Sequence, residues 1–195
     1  IFDKELIDIW YLRKKVSTVN NEIKSRINPH LTVSDLLISG LHGTFCKVKK
    51  IKEEEKFLSE NLLKKINLTK LSEKKFGFLS DGEKQIALIA RAIINNPKVL
   101  ILDEPSANLD LKSKFFLNDH IKYLSKIGIS ILCVTHDISM ITKEFNRVIL
   151  IKDRTILNDG YPSKIMTDKN INELFEIKVN LLESQNNWEV IREII

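Results

Sequence analysis

The sequence predicts an α/β fold, in which a parallel sheet is interrupted by an inserted helical lobe. Two short aliphatic runs, at residues 99–102 and 129–134, are separated by one helical pattern at residues 111–126. Unbroken aliphatic runs are typical of parallel strands that are covered on both faces. The order strand, helix, strand therefore implies a right-handed parallel crossover. A mostly helical stretch at about residues 21–78 supplies the inserted lobe.

Composition is that of an ordinary globular protein with one domain. The 195 residues are 43% hydrophobic and 29% charged, with a net charge of +5, and such a chain buries a sizeable core. No apolar run is long enough to span a bilayer, and two cysteines make neither a disulfide framework nor a metal site. A basic run at residues 47–52 is followed at once by three glutamates. This favours a solvated face over a nucleic-acid surface, while contact with an anionic membrane surface stays open.

The first half of the chain predicts one strand and then the lobe. Residues 15–19 form a short strand that breaks at Asn20. Within residues 29–75 the pattern is helical, and Thr32 or Ser34 caps a first amphipathic segment. A second segment has leucine or isoleucine at a four-residue spacing, and these residues are expected to face the core: Leu58, Leu62 and Ile66.

The second half predicts smaller elements after the aliphatic strand at residues 129–134. Cys133, within that strand, is expected to be a small buried hydrophobic residue. The remaining elements are a short helix at 138–145, a hairpin of residues 148–151 and 155–157, a helix at 163–175, and a strand in the tail 179–195.

Residues 79–85 predict the start of a buried helix. Ser80 and Glu83 have the spacing of a capping box, so the helix begins at Asp81 or Gly82. The following residues are apolar almost all round, and the helix stops before Pro97. The hydroxyl and free N–H groups of this turn are suited to an anion, although a plain helix cap explains Ser80 equally well.

Two adjacent carboxylates, Asp103 and Glu104, follow the first aliphatic strand. Ligands of parallel sheets bind at the carboxyl ends of the strands. Asp103 is placed to hold Mg²⁺ and Glu104 to orient and deprotonate a water molecule. The alternative is a solvated turn after a core strand. His136 follows the second strand and so reaches the same sheet edge, with Asp110 a short loop away; a structural hydrogen bond is the alternative for His136.

Taken together, these motifs resemble the nucleotide-binding domain of ATP-binding-cassette (ABC) proteins. Residues 79–85 resemble the Leu-Ser-Gly-Gly-Gln signature, and residues 99–105 resemble the Walker B strand with its catalytic glutamate. Residues 106–110 resemble the D-loop, and residues 134–137 the switch-histidine loop. The resemblance extends from about residue 15 to residue 160 and implies a P-loop NTPase-like sheet.

The resemblance also implies roles for these residues. Glu104 and His136 would be catalytic, with His136 contacting the γ-phosphate, and Asp103 would hold Mg²⁺. Ser80 and Gly82 would bind the ATP of a second, opposed ABC domain, and Asp110 would tune contact across that dimer. In the family, closure on ATP moves transmembrane permease subunits docked on the helical lobe. The resemblance therefore implies a cytoplasmic protein, peripheral on the cytoplasmic face of the cell membrane, and no nucleic-acid partner.

Three positions depart from the family pattern. Asp81 replaces the first glycine of the signature, and Glu83 replaces its glutamine. This acidic form is similar to that of importer subunits for iron chelates, haem or molybdate-like anions. At the Q-loop glutamine the chain has Asn21 (or Asn20), whose amide is one methylene shorter and whose contact with Mg²⁺ or water should be correspondingly longer.

The sequence contains no Walker A loop, Gly-x-x-x-x-Gly-Lys-Ser/Thr. Residues 77–84 have the two glycines, but Glu83 stands where the lysine is needed. We therefore expect residues 1–195 to be one ABC domain that is incomplete at its amino terminus. Its predicted function is ATP hydrolysis for an ABC transporter, most readily an importer. A non-transport ABC ATPase, a soluble tandem-cassette protein and an ATP-incompetent remnant are the alternatives; residues 21–78 leave no room for the long coiled coil of repair ATPases.

Overall fold

The computed structural model of the protein describes residues 8–184 and 187–192. The chain divides into two compact units, of which the first ends at Thr135 and the second begins at His136. Within the described ranges, no helix has the length and apolar character that crossing a membrane requires. The first unit contains α1 (Ile9–Lys15), β1 (Val16–Val19), α2 (Asn21–Arg26), α3 (Val33–Leu41), α4 (Glu53–Lys65), α5 (Asp81–Ile93), β2 (Val99–Asp103), α6 (Leu111–Lys126) and β3 (Ser130–Val134), with 3-10 turns at Thr69–Leu71 and Phe76–Phe78.

The sheet of the first unit is parallel, and β2 lies between β1 and β3. Val19 is opposite Leu102, and Asp103 is opposite Val134. Leu100 and Leu102 are fully buried, at 0% exposure, whereas Val99 and Ile101, on the other face of the central strand, are only half-buried. The predicted α/β fold with a parallel sheet is confirmed, and all three strands end at the same edge.

The prediction that residues 129–134 form a strand buried on both faces was wrong. β3 is the last strand on its side of the described sheet, and Leu132 and Val134 are 53% and 49% exposed. Cys133 is only partly buried. An aliphatic sequence shows that the side chains of a strand can be buried. The elements that pack on the strand decide whether they are buried.

The helical stretch between β1 and β2 is less continuous than predicted. Its first predicted helix is α3, and Thr32 rather than Ser34 caps it by accepting the Asp35 N–H at 3.0 Å. In α4 the predicted face is partly wrong, because Leu58 is 49% exposed while Leu63 is buried. Ser59, Leu63 and Ile66 form the buried face. A helix places residues i, i+4 and i+7 on one face. The predicted buried face of α4 is therefore rotated by about one residue from the buried face that the structure shows.

Helix α5 is the buried helix predicted to follow Ser80, and it packs on α3 and α6. Gly40 of α3 permits the close approach, because a Cβ at Gly40 would lie 3.0 Å from the Cγ of Arg91. Arg91 in turn donates hydrogen bonds to Ser39 Oγ at 3.2 Å and to the Thr44 carbonyl oxygen at 2.8 Å. These contacts fix α5, and with it the turn that precedes it, against the lobe.

The second unit is built from hairpins and short helices. The hairpin was predicted correctly, but residues 138–145 form only the 3-10 turn Ile138–Met140. The predicted helix at 163–175 is split, because Thr167 accepts the Asn170 N–H at 3.3 Å and starts a new helix. The predicted tail strand is two strands, although residues 193–195 lie outside the described residues. The unit contains β4 (Val148–Lys152), β5 (Thr155–Gly160), α7 (Pro162–Ile165), α8 (Asp168–Phe175), β6 (Val179–Glu183) and β7 (Trp188–Arg192).

Candidate nucleotide site

The acidic pair lies at the carboxyl end of the central strand. Asp103 is the last residue of β2 and is exposed, whereas Glu104 is half-buried. Glu104 has a left-handed backbone, with φ of 48°, which costs a non-glycine residue about 1–2 kcal/mol. Its N–H donates to the Val134 carbonyl oxygen at 2.8 Å, and its carbonyl oxygen accepts the Ala107 N–H at 3.2 Å. Backbone strain held in place by neighbouring strands is characteristic of functional positions.

The pKa of the Cys133 thiol gives a second indication of the charge at these strand ends. Cys133 lies on β3 opposite Leu102. Burial raises the pKa of the Cys133 thiol to about 12, and the carboxylates of Glu104 and Asp103 contribute to the same shift. The edge where the strands end therefore carries negative potential, which suits a divalent cation.

The turn before α5 forms the predicted capping box. The Ser80 hydroxyl oxygen accepts the Glu83 N–H at 3.2 Å, and Glu83 Oε2 accepts the Ser80 N–H at 2.8 Å. Because the hydroxyl oxygen acts as the acceptor, its hydrogen is left to donate to another group. Ser80 is exposed, so an anion in solution has access to this hydroxyl.

Gly82 brings the first turns of α5 and α6 together. A Cβ at Gly82 would contact Ser113 Oγ and would lie 2.7 Å from Ser113 Cβ. Ser113 also donates its N–H to Asp110 Oδ1 at 2.7 Å, so Asp110 caps α6 beside the same turn. Hydrogen bonding to Ser113 lowers the pKa of the Asp110 carboxyl. The first unit therefore assembles the predicted residues Ser80, Gly82 and Asp110.

The signature turn comprises residues 79–85, which are the turn before α5 and the first residues of that helix. Each of its two carboxylates is paired with a lysine that the sequence did not single out. Lys24 Nζ lies 3.0 Å from Asp81 Oδ1, and its hydrogen bond and charge lower the pKa of Asp81. Lys74 Nζ lies 3.0 Å from Glu83 Oε2. Burial alone would raise the pKa of Glu83, but the Ser80 N–H and Lys74 lower it overall.

No sequence signal separates these two lysines from the other basic residues, because Lys24 precedes Asp81 by 57 positions. The one available clue is chemical: carboxylates in a turn expected to bind an anion need counter-charges. The fold decides which lysines supply them.

The two asparagines proposed for the Q-loop differ in their surroundings. Asn20 follows β1 and caps α2, and its side-chain oxygen accepts the Ile23 N–H at 2.8 Å. Asn21 is exposed in the first turn of α2. The side-chain oxygen of Asn20 is thus engaged locally, whereas Asn21 is open to solvent beside the strand ends.

His136 opens the second unit and is exposed. The next residue, Asp137, caps a 3-10 turn and accepts the Ser139 N–H at 3.1 Å. The switch-histidine position is therefore at a defined chain turn directly after β3. The other predicted residues all lie in the first unit.

The family model described as ABC transporter matches residues 2–107, more than half of the chain, so the chain belongs to the ABC transporter family. An uncharacterised ABC transporter ATP-binding protein of Methanocaldococcus jannaschii is 34% identical over 169 residues, which are 86% of this chain and 57% of that protein. The spermidine/putrescine import ATP-binding protein PotA of Mycoplasma capricolum is 34% identical over 167 residues, 85% of this chain and 46% of that protein.

A solved structure of similar fold is an inward-facing transporter of the metal-chelate type. Its TM-score is 0.79 at 23% identity, and the match covers 92% of this chain and 73% of that chain. At this identity the likeness concerns the fold, which is that of an ABC ATPase domain. The chain spans between about half and two thirds of the length of the curated relatives it matches.

Proposed function

We propose that the full-length protein is the ATP-hydrolysing subunit of an ABC transporter. The observation that carries the proposal is the Asp103–Glu104 pair at the end of the central parallel strand, with Glu104 held in a left-handed conformation by its bond to Val134. Glu104 is proposed to orient and deprotonate the attacking water. The water oxygen then bonds to the γ-phosphorus of ATP as the bond to ADP breaks.

The residues fit Mg²⁺ with ATP. Mg²⁺ is commonly held by one or two carboxylates, by water and by phosphate oxygens, rather than by a cage of protein ligands. In the described part of the chain, no three His, Cys, Asp or Glu side chains cluster as such a cage, while Asp103 is exposed at the strand end. Asp103 would hold the ion, directly or through water, and the ion would neutralise charge on the phosphates.

The remaining site residues fit a dimeric arrangement. Ser80 has a hydroxyl hydrogen to donate, and the first N–H groups of α5 have no partner within the helix. These groups are proposed to bind the γ-phosphate of an ATP held by a second ABC domain. Asp110, which caps α6 beside Gly82, is proposed to tune the contact between domains, and His136 to contact the γ-phosphate.

We further propose an importer, with permease subunits docked on the helices between β1 and β2 and the protein bound at the cytoplasmic face of the membrane. PotA is named as an import protein, and the transporter of similar fold is of the metal-chelate type. The acidic form of the signature, at Ser80–Glu83, also supports import.

The test is ATP hydrolysis by the full-length protein with its permease partners. Glu104→Gln keeps the size of the side chain but removes the base, so turnover should fall about 10²–10⁴-fold, and the ATP-bound dimer should accumulate. Asp119→Asn is the matched control, because Asp119 is exposed on α6, outside the helices proposed to dock the permease. Turnover by Glu104→Gln near the unmodified rate would overturn the catalytic assignment.

A further inference from the structure

The signature turn carries two carboxylates that a phosphate-binding turn would be expected to lack. Asp81 is exposed and Glu83 is partly exposed, so both contribute their charge to the surface that Ser80 presents. A triphosphate approaching this turn would be repelled by both carboxylates. The repulsion is of long enough range to matter, because surface charges interact over about 8–10 Å at physiological salt.

Two lysines from separate segments converge on this turn. Lys24 comes from α2 and contacts Asp81, while Lys74 comes from the loop before α5 and contacts Glu83, both at 3.0 Å. Lys84, within the first turn of α5, adds a third positive charge that acts on Asp81. The turn therefore carries two carboxylates and three ammonium groups.

These pairs add little to stability as such. Their side chains are between 26% and 52% exposed, and exposed ion pairs contribute about 0–1 kcal/mol. The Glu83 carboxylate is already held by the Ser80 N–H, so Lys74 is not needed to close the capping box. The clearest consequence of the two lysines is electrostatic: they cancel the charge of an acidic signature.

We infer that Lys24 and Lys74 are positioning and affinity-setting residues of the signature turn, which neutralise Asp81 and Glu83 and so permit the turn to accept the phosphates of ATP. This inference rests on the proposed function. It also links the turn to α2, the helix that starts directly after β1 beside the strand ends. Lys24 thus connects two predicted parts of the site within one unit.

The test uses the full-length protein and a double-mutant cycle. Lys24→Met should raise the apparent dissociation constant for ATP and the KM about three- to tenfold, with kcat changed less than about twofold. Lys24→Met with Asp81→Asn should restore both constants to within about twofold. Raising the salt concentration should shrink the effect of Lys24→Met, because screening weakens exposed charges. Lys74→Met, alone and with Glu83→Gln, should follow the same pattern.

Lys47 and Asp35 supply the control pair. They are also 3.0 Å apart and lie on the same unit, outside residues 79–85 of the signature turn. Lys47→Met, with or without Asp35→Asn, should leave ATP affinity unchanged. ATP-dependent dimerisation of the same variants in a Glu104→Gln background, measured by sedimentation, gives a readout that does not need turnover.

Two outcomes separate the inference from the function on which it rests. If the unmodified protein binds and hydrolyses ATP but the Lys24 and Lys74 variants match the Lys47 control, the inference is wrong and the function stands. If the unmodified full-length protein neither binds nor hydrolyses ATP, the proposed function fails and the inference falls with it.

Discussion

Gly82 and Ser113 are in such close contact that the glycine cannot carry a side chain without moving a helix. A Cβ at Gly82 would contact Ser113 Oγ and lie 2.7 Å from Ser113 Cβ. The backbone of Gly82 does not have a positive φ, so its conformation does not by itself require glycine. The glycine is therefore required for packing between α5 and α6, in addition to the phosphate contact that the family resemblance implies.

Gly82→Ala should lower the free energy of unfolding by about 1–3 kcal/mol, the usual cost of overpacking a rigid contact. Chemical denaturation measures this change. In a Ser113→Gly background, where the contacting side chain is absent, Gly82→Ala should lower the free energy of unfolding by less than it does in the unmodified protein. Gly160→Ala is the control, because a Cβ there would meet only the flexible end of Ile165, at 3.3 Å. Equal destabilisation by both alanine variants would contradict the packing role.

Asn20 and Asn21 should separate into a structural and a functional residue. Asn20→Ala removes the cap of α2 and should cost about 1 kcal/mol of stability, whereas Asn20→Asp should retain it. Asn21→Ala should leave stability within about 0.5 kcal/mol but change the ATPase rate or its Mg²⁺ dependence, and Asn21→Gln should differ from both. Identical kinetics for the unmodified protein and for both Asn21 variants would place the Q-loop contact elsewhere.

Cys133 should be nearly inert toward thiol reagents in the folded protein. With a pKa of about 12, only about one thiol in 10⁴ is ionised at pH 8, and the thiolate is the reactive form. Cys46 is exposed and should be alkylated at least about 100-fold faster. Mass spectrometry of the chain after timed alkylation, with Cys46→Ser and Cys133→Ser for assignment, measures both rates. In urea the two rates should converge; fast labelling of Cys133 without urea would contradict the prediction.

Residues 1–195 by themselves should bind Mg-ATP far more weakly than micromolar. Phosphate affinity in P-loop proteins depends on a nest of backbone N–H groups and one lysine, and no such motif occurs in this sequence. Asp103, Glu104 and Asp110 are all negative and would oppose a polyanion. Calorimetric titration of the purified chain with Mg-ATP is the measurement. Micromolar binding with steady hydrolysis would reveal a phosphate loop of another kind.

The sequence alone determined those features that depend on local chemistry. The capping box of Ser80 and Glu83, the start of α5 and the span of α6 all follow from side chains that act within one helical turn. The parallel sheet followed from unbroken aliphatic runs separated by a helix. The family followed from the order of four short motifs, and the family match confirms it.

Only the tertiary structure decided what depends on contacts between distant residues. Leu132 and Val134 alternate along β3 with the less exposed Ile131 and Cys133, so their exposure follows from which face of the sheet is covered, and local sequence does not encode that. The pairing of Lys24 with Asp81, 57 residues apart, and the contact of Gly82 with Ser113 depend on how helices pack. The neighbouring sequence does not distinguish Lys24 from other lysines or Gly82 from other glycines, because the tertiary structure determines which residue each of them contacts.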